Sequence, residues 1–359
     1  MLPSINFNVV NKETTRYVRT HNYPVQETEE QLRKLYGSNC WKVILTNSGQ
    51  EALMTAVELI QPRTVIVDDE TYFELRFMLR YMKDWCGFDY IQLADLDDAV
   101  SLSDALKNAK KPILVCGDNP TTFGNWKDVR NISKLCHSYG AYVMMDNSIV
   151  SLYYSNPLND GADILVESYS KYVTGQGDTM AGGIAFAHSM EWLDDKPLPA
   201  EVPGMKSIAW ITSRRGNVAH ALAAYNVSKG LETLAVRMDR HTISANKIYA
   251  TLLAAGLDVR YSGKGGLITL LGIKPDFCKN FKHIVTVGTF GCAYTNADFF
   301  RSDAYYKTGV CTRLSIGLED VEMLLEDIGQ AMKFPLLDIY HANMKKVIDQ
   351  CLPFPKVKE

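Results

Sequence analysis

A chain of 359 residues exceeds the ~250–300 at which one hydrophobic core stops growing, so two domains are expected. With 47% hydrophobic residues, 22% charged residues and a formal net charge of −3, it has the balance of a globular protein and lacks the basic excess of a nucleic-acid binder. A small molecule is therefore the expected ligand, with neither nucleic acid nor membrane as a partner. Eight cysteines, at positions 40, 86, 116, 136, 278, 292, 311 and 351, show no Cys-x-x-Cys spacing. That argues against a zinc site or a disulfide framework and predicts reduced thiols in the cytoplasm. The opening Met1-Leu2-Pro3-Ser4-Ile5-Asn6 lacks the basic start of a signal peptide, and no run approaches ~18 apolar residues, so neither export nor a membrane span is expected.

In chain order, β-rich runs at 43–46, 64–67, 113–116, 141–145, 164–166 and 182–186 read as strands. Between them, 50–60, 72–82 and 128–138 carry apolar residues at helical spacing, as in Leu53, Ala56, Val57 and Ile60. This alternation predicts an α/β fold with a mostly parallel sheet wrapped by helices, whose ligands bind beyond the carboxyl ends of the strands. Asn47-Ser48-Gly49, Asn119 and Asp146 fall at such ends. From 219 to 255 the chain is nearly continuous helix former, with Gly230 inside it and Gly256 as its stop, and so predicts a helix connecting two domains. Runs at 267–271, 284–287 and 312–316 read as further strands and 320–332 as a helix, which fits a smaller α+β domain. The expected division is an N-terminal arm at 1–25, a larger domain at 26–230 and the smaller one at 231–359.

The most informative residue is Lys171, in Ser168-Tyr169-Ser170-Lys171-Tyr172 just past the apolar Ile164, Leu165 and Val166. A lysine flanked by hydroxyls, with Asp146 ending an earlier strand, suggests a Schiff-base site for pyridoxal phosphate. The cofactor aldehyde needs an amine, and its pyridine nitrogen needs a carboxylate that keeps it protonated. Thr46-Asn47-Ser48-Gly49-Gln50-Glu51 places a helix start beside a strand end, a ready anion site. It reads equally as an ordinary N-cap, with Ser48 and Glu51 forming a capping box. Tyr72 could stack on a pyridine ring, relay a proton as a catalytic residue, or be a core tyrosine. Arg313 could meet a substrate carboxylate or form a structural ion pair. Gly175-Gln176-Gly177-Asp178 lacks the complete dinucleotide spacing, and no phosphate loop or His-Glu-x-x-His metal motif occurs.

Taken together and in order, these segments resemble the cystathionine γ-synthase/γ-lyase group, the Cys/Met-metabolism enzymes of the type I pyridoxal phosphate fold. The matching stretches are Tyr17-Val18-Arg19 through Pro24; Asp118-Asn119-Pro120-Thr121; Asp146-Asn147-Ser148; and Gly161-Ala162-Asp163 leading to Lys171. Two more follow, at Gly230-Leu231-Glu232-Thr233 through Arg237, with Arg240-His241, and at Arg313-Leu314-Ser315-Ile316-Gly317-Leu318-Glu319. The resemblance implies that Lys171 is the Schiff-base lysine and proton shuttle, Asp146 the pyridine partner and Tyr72 the stacking ring. It implies that Ser48, Gly49, Gln50, Ser168 and Ser170 hold the phosphate together with Tyr17 and Arg19 of the partner subunit. Asn119, Thr289 and Arg313 would hold the substrate carboxylate. A homodimer with shared active sites follows, and a homotetramer stays open.

Departures from the family pattern restrict the substrate. Tyr294 stands in Thr289-Phe290-Gly291-Cys292-Ala293-Tyr294-Thr295 where the family carries a glutamate, which speaks against cystathionine itself. Only 16 residues precede Tyr17, fewer than is usual in the family, which leaves tetramer packing less certain than the dimer. Gln176 replaces the family's histidine and Lys229 its arginine. The expected activity is γ-elimination or γ-replacement on an L-amino acid with a γ-leaving group, such as methionine, homocysteine or an O-acylhomoserine. The alternatives are a β-eliminating C–S lyase on a cysteine-type substrate and a catalytically inactive homologue of the fold.

Overall fold

Alternate residues of the central strands enter different cores. Val65 and Val67, Leu114 and Cys116, and Met144 pack into one apolar cluster, whereas Ile66, Ile113 and Val115, and Val143 and Met145 pack into another. A strand whose two faces are both buried must be apolar throughout, and its sheet must be covered on both sides. The computed structural model describes residues 22–196, 208, 212, 216–273, 275–300 and 309–351. Tyr17 and Arg19 therefore lie outside the described residues. The chain divides into two compact units, Met1–Met238 and Asp239–Glu359, with the division inside the continuous helix Ala221–Ala254.

In the first unit, seven strands lie in the order β1 (Cys40–Thr46), β7 (Gly182–Ala187), β6 (Ile164–Glu167), β5 (Ala141–Asp146), β4 (Ile113–Asp118), β2 (Thr64–Asp68) and β3 (Asp89–Leu93). Only β7 runs against its neighbours. Helices α1 (Tyr23–Tyr36), α2 (Gly49–Ile60), α3 (Phe73–Cys86), α4 (Ala99–Lys107) and α5 (Val129–Ser138) alternate with the strands. The predicted strands and helices of this half are present to within a few residues. Helices α1 and α4 and strand β3 are additions, and β3 escaped prediction because Asp89 and Gln92 break its apolar run at the sheet edge.

The second unit has a five-stranded sheet in the order β10 (Val285–Thr286), β11 (Asn296–Phe300), β12 (Cys311–Ser315), β9 (Leu267–Leu271) and β8 (Val259–Tyr261). Its core gathers Ile268, Leu270, Leu314, Leu324, Leu325 and Ile328, the last three from helix Val321–Met332. Strand β11 was not foreseen, since Asn296 and Asp298 hide its alternation.

Behind the lysine turn lies a buried polar cluster. Tyr36 donates to Glu167 at 3.0 Å, and its hydroxyl lies 3.1 Å from that of Tyr169. Burial pushes the Glu167 carboxyl up to about 8 from 4.5, against the pull of Ser151 and Tyr36. The folded protein thus holds a proton that the unfolded chain releases. This contribution to stability is complete below pH 4.5 and is lost as pH rises through about 8. Glu167→Gln is expected to flatten the fall in urea midpoint across that window; an unchanged slope would remove Glu167 as its source.

Candidate active site

Strand ends of the first unit's sheet position most of the candidate residues. Ser48, just beyond β1, caps α2 by accepting the Glu51 N–H at 3.1 Å. The Glu51 carboxylate is bonded by Thr55 and Asn217. A Cβ on Gly49 would lie 2.6 Å from the Ser168 Cβ, so only glycine lets the start of α2 approach the lysine segment this closely. The Gln50 Oε1 is buried without a partner among the described residues. Together the α2 N-terminus and Ser168 form a cradle of the kind that receives an anion.

Asp146 ends β5, with its Oδ1 accepting the Ser148 N–H at 2.8 Å, while the Ser148 Oγ accepts the Ser168 N–H at 2.8 Å. One serine therefore ties the carboxylate to the lysine segment. Burial raises the Asp146 carboxyl, and the bonds from Ser148 and the charge of Lys171 draw it back down. In register with Asp146, on β4, lies Asp118, 5% exposed. Its Oδ2 accepts the Tyr72 N–H at 3.0 Å and its Oδ1 has no partner among the described residues. Burial and the Asp146 charge push the Asp118 carboxyl well above the ordinary carboxylate range. Tyr72, at the start of α3, gives its hydroxyl to Glu74 at 2.6 Å.

Lys171 is half-buried, and its N–H bonds to Ser168 O at 3.1 Å. Ser170 has its hydroxyl turned onto the backbone of Ala181, donating at 3.0 Å and accepting at 2.9 Å, so it braces the turn. Arg237 grips the same turn through Tyr172 O and Val173 O, an effect of burial strong enough to lower its guanidinium to about 10. Gly230 makes room for this grip, because a Cβ there would stand 2.0 Å from Val173 O. Gly230→Ala gains at most ~1 kcal/mol in helix propensity and forces a backbone shift costing about 1–3 kcal/mol or more. A net drop in melting temperature is expected, and a rise would show that the lysine turn yields freely.

Asn119, also foreseen for the substrate, is only 5% exposed; its Oδ1 accepts the Lys127 N–H at 2.9 Å and its Nδ2 reaches Ser155 Oγ at 3.5 Å. Its side chain thus closes the loop after β4. In the second unit, Thr289 is half-buried, and Arg313 on β12 is bonded to Asp298 through Nε at 2.8 Å and Nη2 at 2.5 Å. Sequence reasoning missed Asp118, Ser148 as a bridge, and Asp298. Ser148 stood in a motif already singled out, but its bridging bond depends on the β5–β6 pairing.

A phosphorylated pyridine aldehyde suits the first unit's set: an amine, a carboxylate at a strand end, an aromatic ring, and a glycine-lined helix start beside a serine. The chain matches the family described as "Cys/Met metabolism PLP-dependent enzyme" over residues 5–263. It is 26% identical over 338 residues to the cystathionine gamma-synthase/O-acetylhomoserine (thiol)-lyase of Bacillus subtilis, covering 88% of this chain and 85% of that protein. It is 27% identical over 305 residues to a cystathionine beta-lyase of Lactococcus lactis, covering 75% of each. Among solved structures, a methionine gamma lyase of Micromonospora echinospora superposes with a TM-score of 0.74 at 24% identity, covering 88% of this chain and 87% of that one. Profile, relatives and fold agree: the chain belongs to the Cys/Met-metabolism enzymes that depend on pyridoxal phosphate.

Proposed function

We propose that the enzyme catalyses γ-elimination or γ-replacement on an L-amino acid carrying a γ-leaving group, of the methionine, homocysteine or O-acylhomoserine type. The observation that carries this reading is the convergence of Lys171, Asp146, Tyr72 and the α2 N-terminus at neighbouring strand ends, in a chain related to a γ-synthase. Bound pyridoxal phosphate supplies the electron sink for negative charge developing on the substrate. Lys171 takes the Cα proton and returns it further along the chain as the γ-substituent departs. Asp146 would hold positive charge at the ring nitrogen, and Tyr72 would supply the stacking ring. Ser48, Gly49, Gln50, Ser168 and Ser170 belong to the phosphate end, with Tyr17 and Arg19 of the partner subunit in a homodimer. Asn119, Thr289 and Arg313 belong to carboxylate recognition. Free thiols at Cys40, Cys86, Cys116, Cys136, Cys278, Cys292 and Cys311 support a cytoplasmic setting, and among the described residues no helix is long and apolar enough to cross a membrane.

The test is product analysis of the holoenzyme with L-methionine, L-homocysteine and O-acetyl-L-homoserine, following 2-oxobutyrate or a replacement product. Sedimentation with and without cofactor checks the dimer. A β-eliminating lyase is the second reading, favoured by the similarity to a cystathionine beta-lyase. Pyruvate from a cysteine-type substrate, without 2-oxobutyrate from any γ-substituted one, would select it.

A further inference from the structure

We propose that Asp298 is a specificity-determining residue: an internal carboxylate that occupies the carboxylate-binding edge of Arg313 and competes there with the carboxylate of the substrate. The proposal rests on the reading of Arg313 as the substrate's carboxylate receptor. Asp298 and Arg313 are directly opposite one another on the antiparallel strands β11 and β12. Their neighbours Ala297 and Leu314 turn into the apolar core, so both charged side chains share the sheet's other face. The two contacts, Nε to Oδ1 at 2.8 Å and Nη2 to Oδ2 at 2.5 Å, form the two-point fork that a ligand carboxylate would make. Side-chain exposure is only 9% for Arg313 and 10% for Asp298. The guanidinium also lies over the Phe290 ring, 5.6 Å from its centroid.

A surface ion pair would dissolve when a ligand arrived, but strand register holds this one. Directly opposite residues keep their Cβ atoms ~4.5–5.5 Å apart, so Asp298 leaves Arg313 only by turning its side chain away from a largely buried cation. On that Nε/Nη2 edge a substrate carboxylate gains its fork by displacing an equivalent one. Net recognition of the carboxylate group is thereby small, and the enzyme discriminates weakly between an α-amino acid and the amine that lacks that group. Replacing the charge of Asp298 while keeping its shape removes the competitor and leaves Arg313 an amide oxygen to rest on.

The experiment titrates the visible band of the holoenzyme with L-methionine and with 3-(methylthio)propylamine, which differ only by the carboxylate. Wild type is expected to prefer the acid by less than about tenfold. Asp298→Asn is expected to raise that preference by about 10–100-fold, the range of a charge-assisted hydrogen bond, through tighter binding of L-methionine with the amine unchanged. Circular dichroism checks the fold, and Asp298→Ser is the second variant. Should neither variant fold, wild type decides alone, since an acid preference above about 100-fold overturns the proposal. An unchanged or reduced preference in a folded variant also overturns it, because Asp298 would then merely orient Arg313 or brace the sheet. If L-methionine shifts the band and only the ratio fails to respond, this proposal falls by itself. If neither compound shifts the wild-type band, the functional reading falls and takes this proposal with it.

Discussion

Lys171→Ala is expected to lower turnover by about 10³-fold or more, since a positioned proton-transfer group alone contributes ~10²–10⁴-fold and Lys171 also supplies the covalent amine. The loss should fall on kcat with each γ-substituted amino acid tested. The fold should survive, because Lys171 is half-buried and its main-chain bond to Ser168 O does not need the side chain. The visible band of the lysine-linked cofactor should vanish while circular dichroism and melting temperature stay close to wild type. Activity within about tenfold of wild type would take Lys171 out of the mechanism.

Asp146→Asn is the second large effect, expected at about 10²–10³-fold in kcat, the scale of removing one preorganised electrostatic contact. An amide keeps the shape and can still accept from Ser148, but it cannot carry the charge that stabilises a protonated ring nitrogen. Cofactor affinity, followed by fluorescence during reconstitution, should weaken as well. Asp118→Asn provides the contrast. Burial and the neighbouring charge of Asp146 push the Asp118 carboxyl toward its uncharged form, and an amide oxygen can still accept the Tyr72 N–H. Its substitution should change kcat by less than about tenfold. Equal losses in the two variants would mean that the carboxylates share their charge and act as one unit.

The sequence carried most of the site's composition and little of its wiring. Lys171, Asp146, Tyr72 and Ser48 stand where chemistry and strand ends intersect, which makes them candidates, and the family resemblance supplied their roles. Arg313 was left between a ligand contact and an ion pair; its partner Asp298 lies 15 residues away and is brought opposite only by strand register. Asn119 drew attention through its place after a strand, yet its amide closes a loop on Lys127, a bond set by the local path of the chain. The direction of β7 was likewise hidden. Gly182–Ala187 reads as a strand in either orientation, and only its pairing between β1 and β6 shows that it runs backwards.

That reversed strand also sets a schedule for synthesis. Among the described residues, strand β1, with the apolar Val43, Ile44 and Leu45, pairs only with β7, about 140 residues downstream. At a translation rate of ~5–20 residues per second, β1 waits about 7–28 s for its partner to leave the ribosome. During that interval it is an unpaired apolar edge, the kind of segment that recruits chaperones or neighbouring nascent chains. Slower translation before Gly182 lengthens the exposure. Yield of folded enzyme in a heterologous host should therefore depend on codon usage between these two strands more than on any stretch after them.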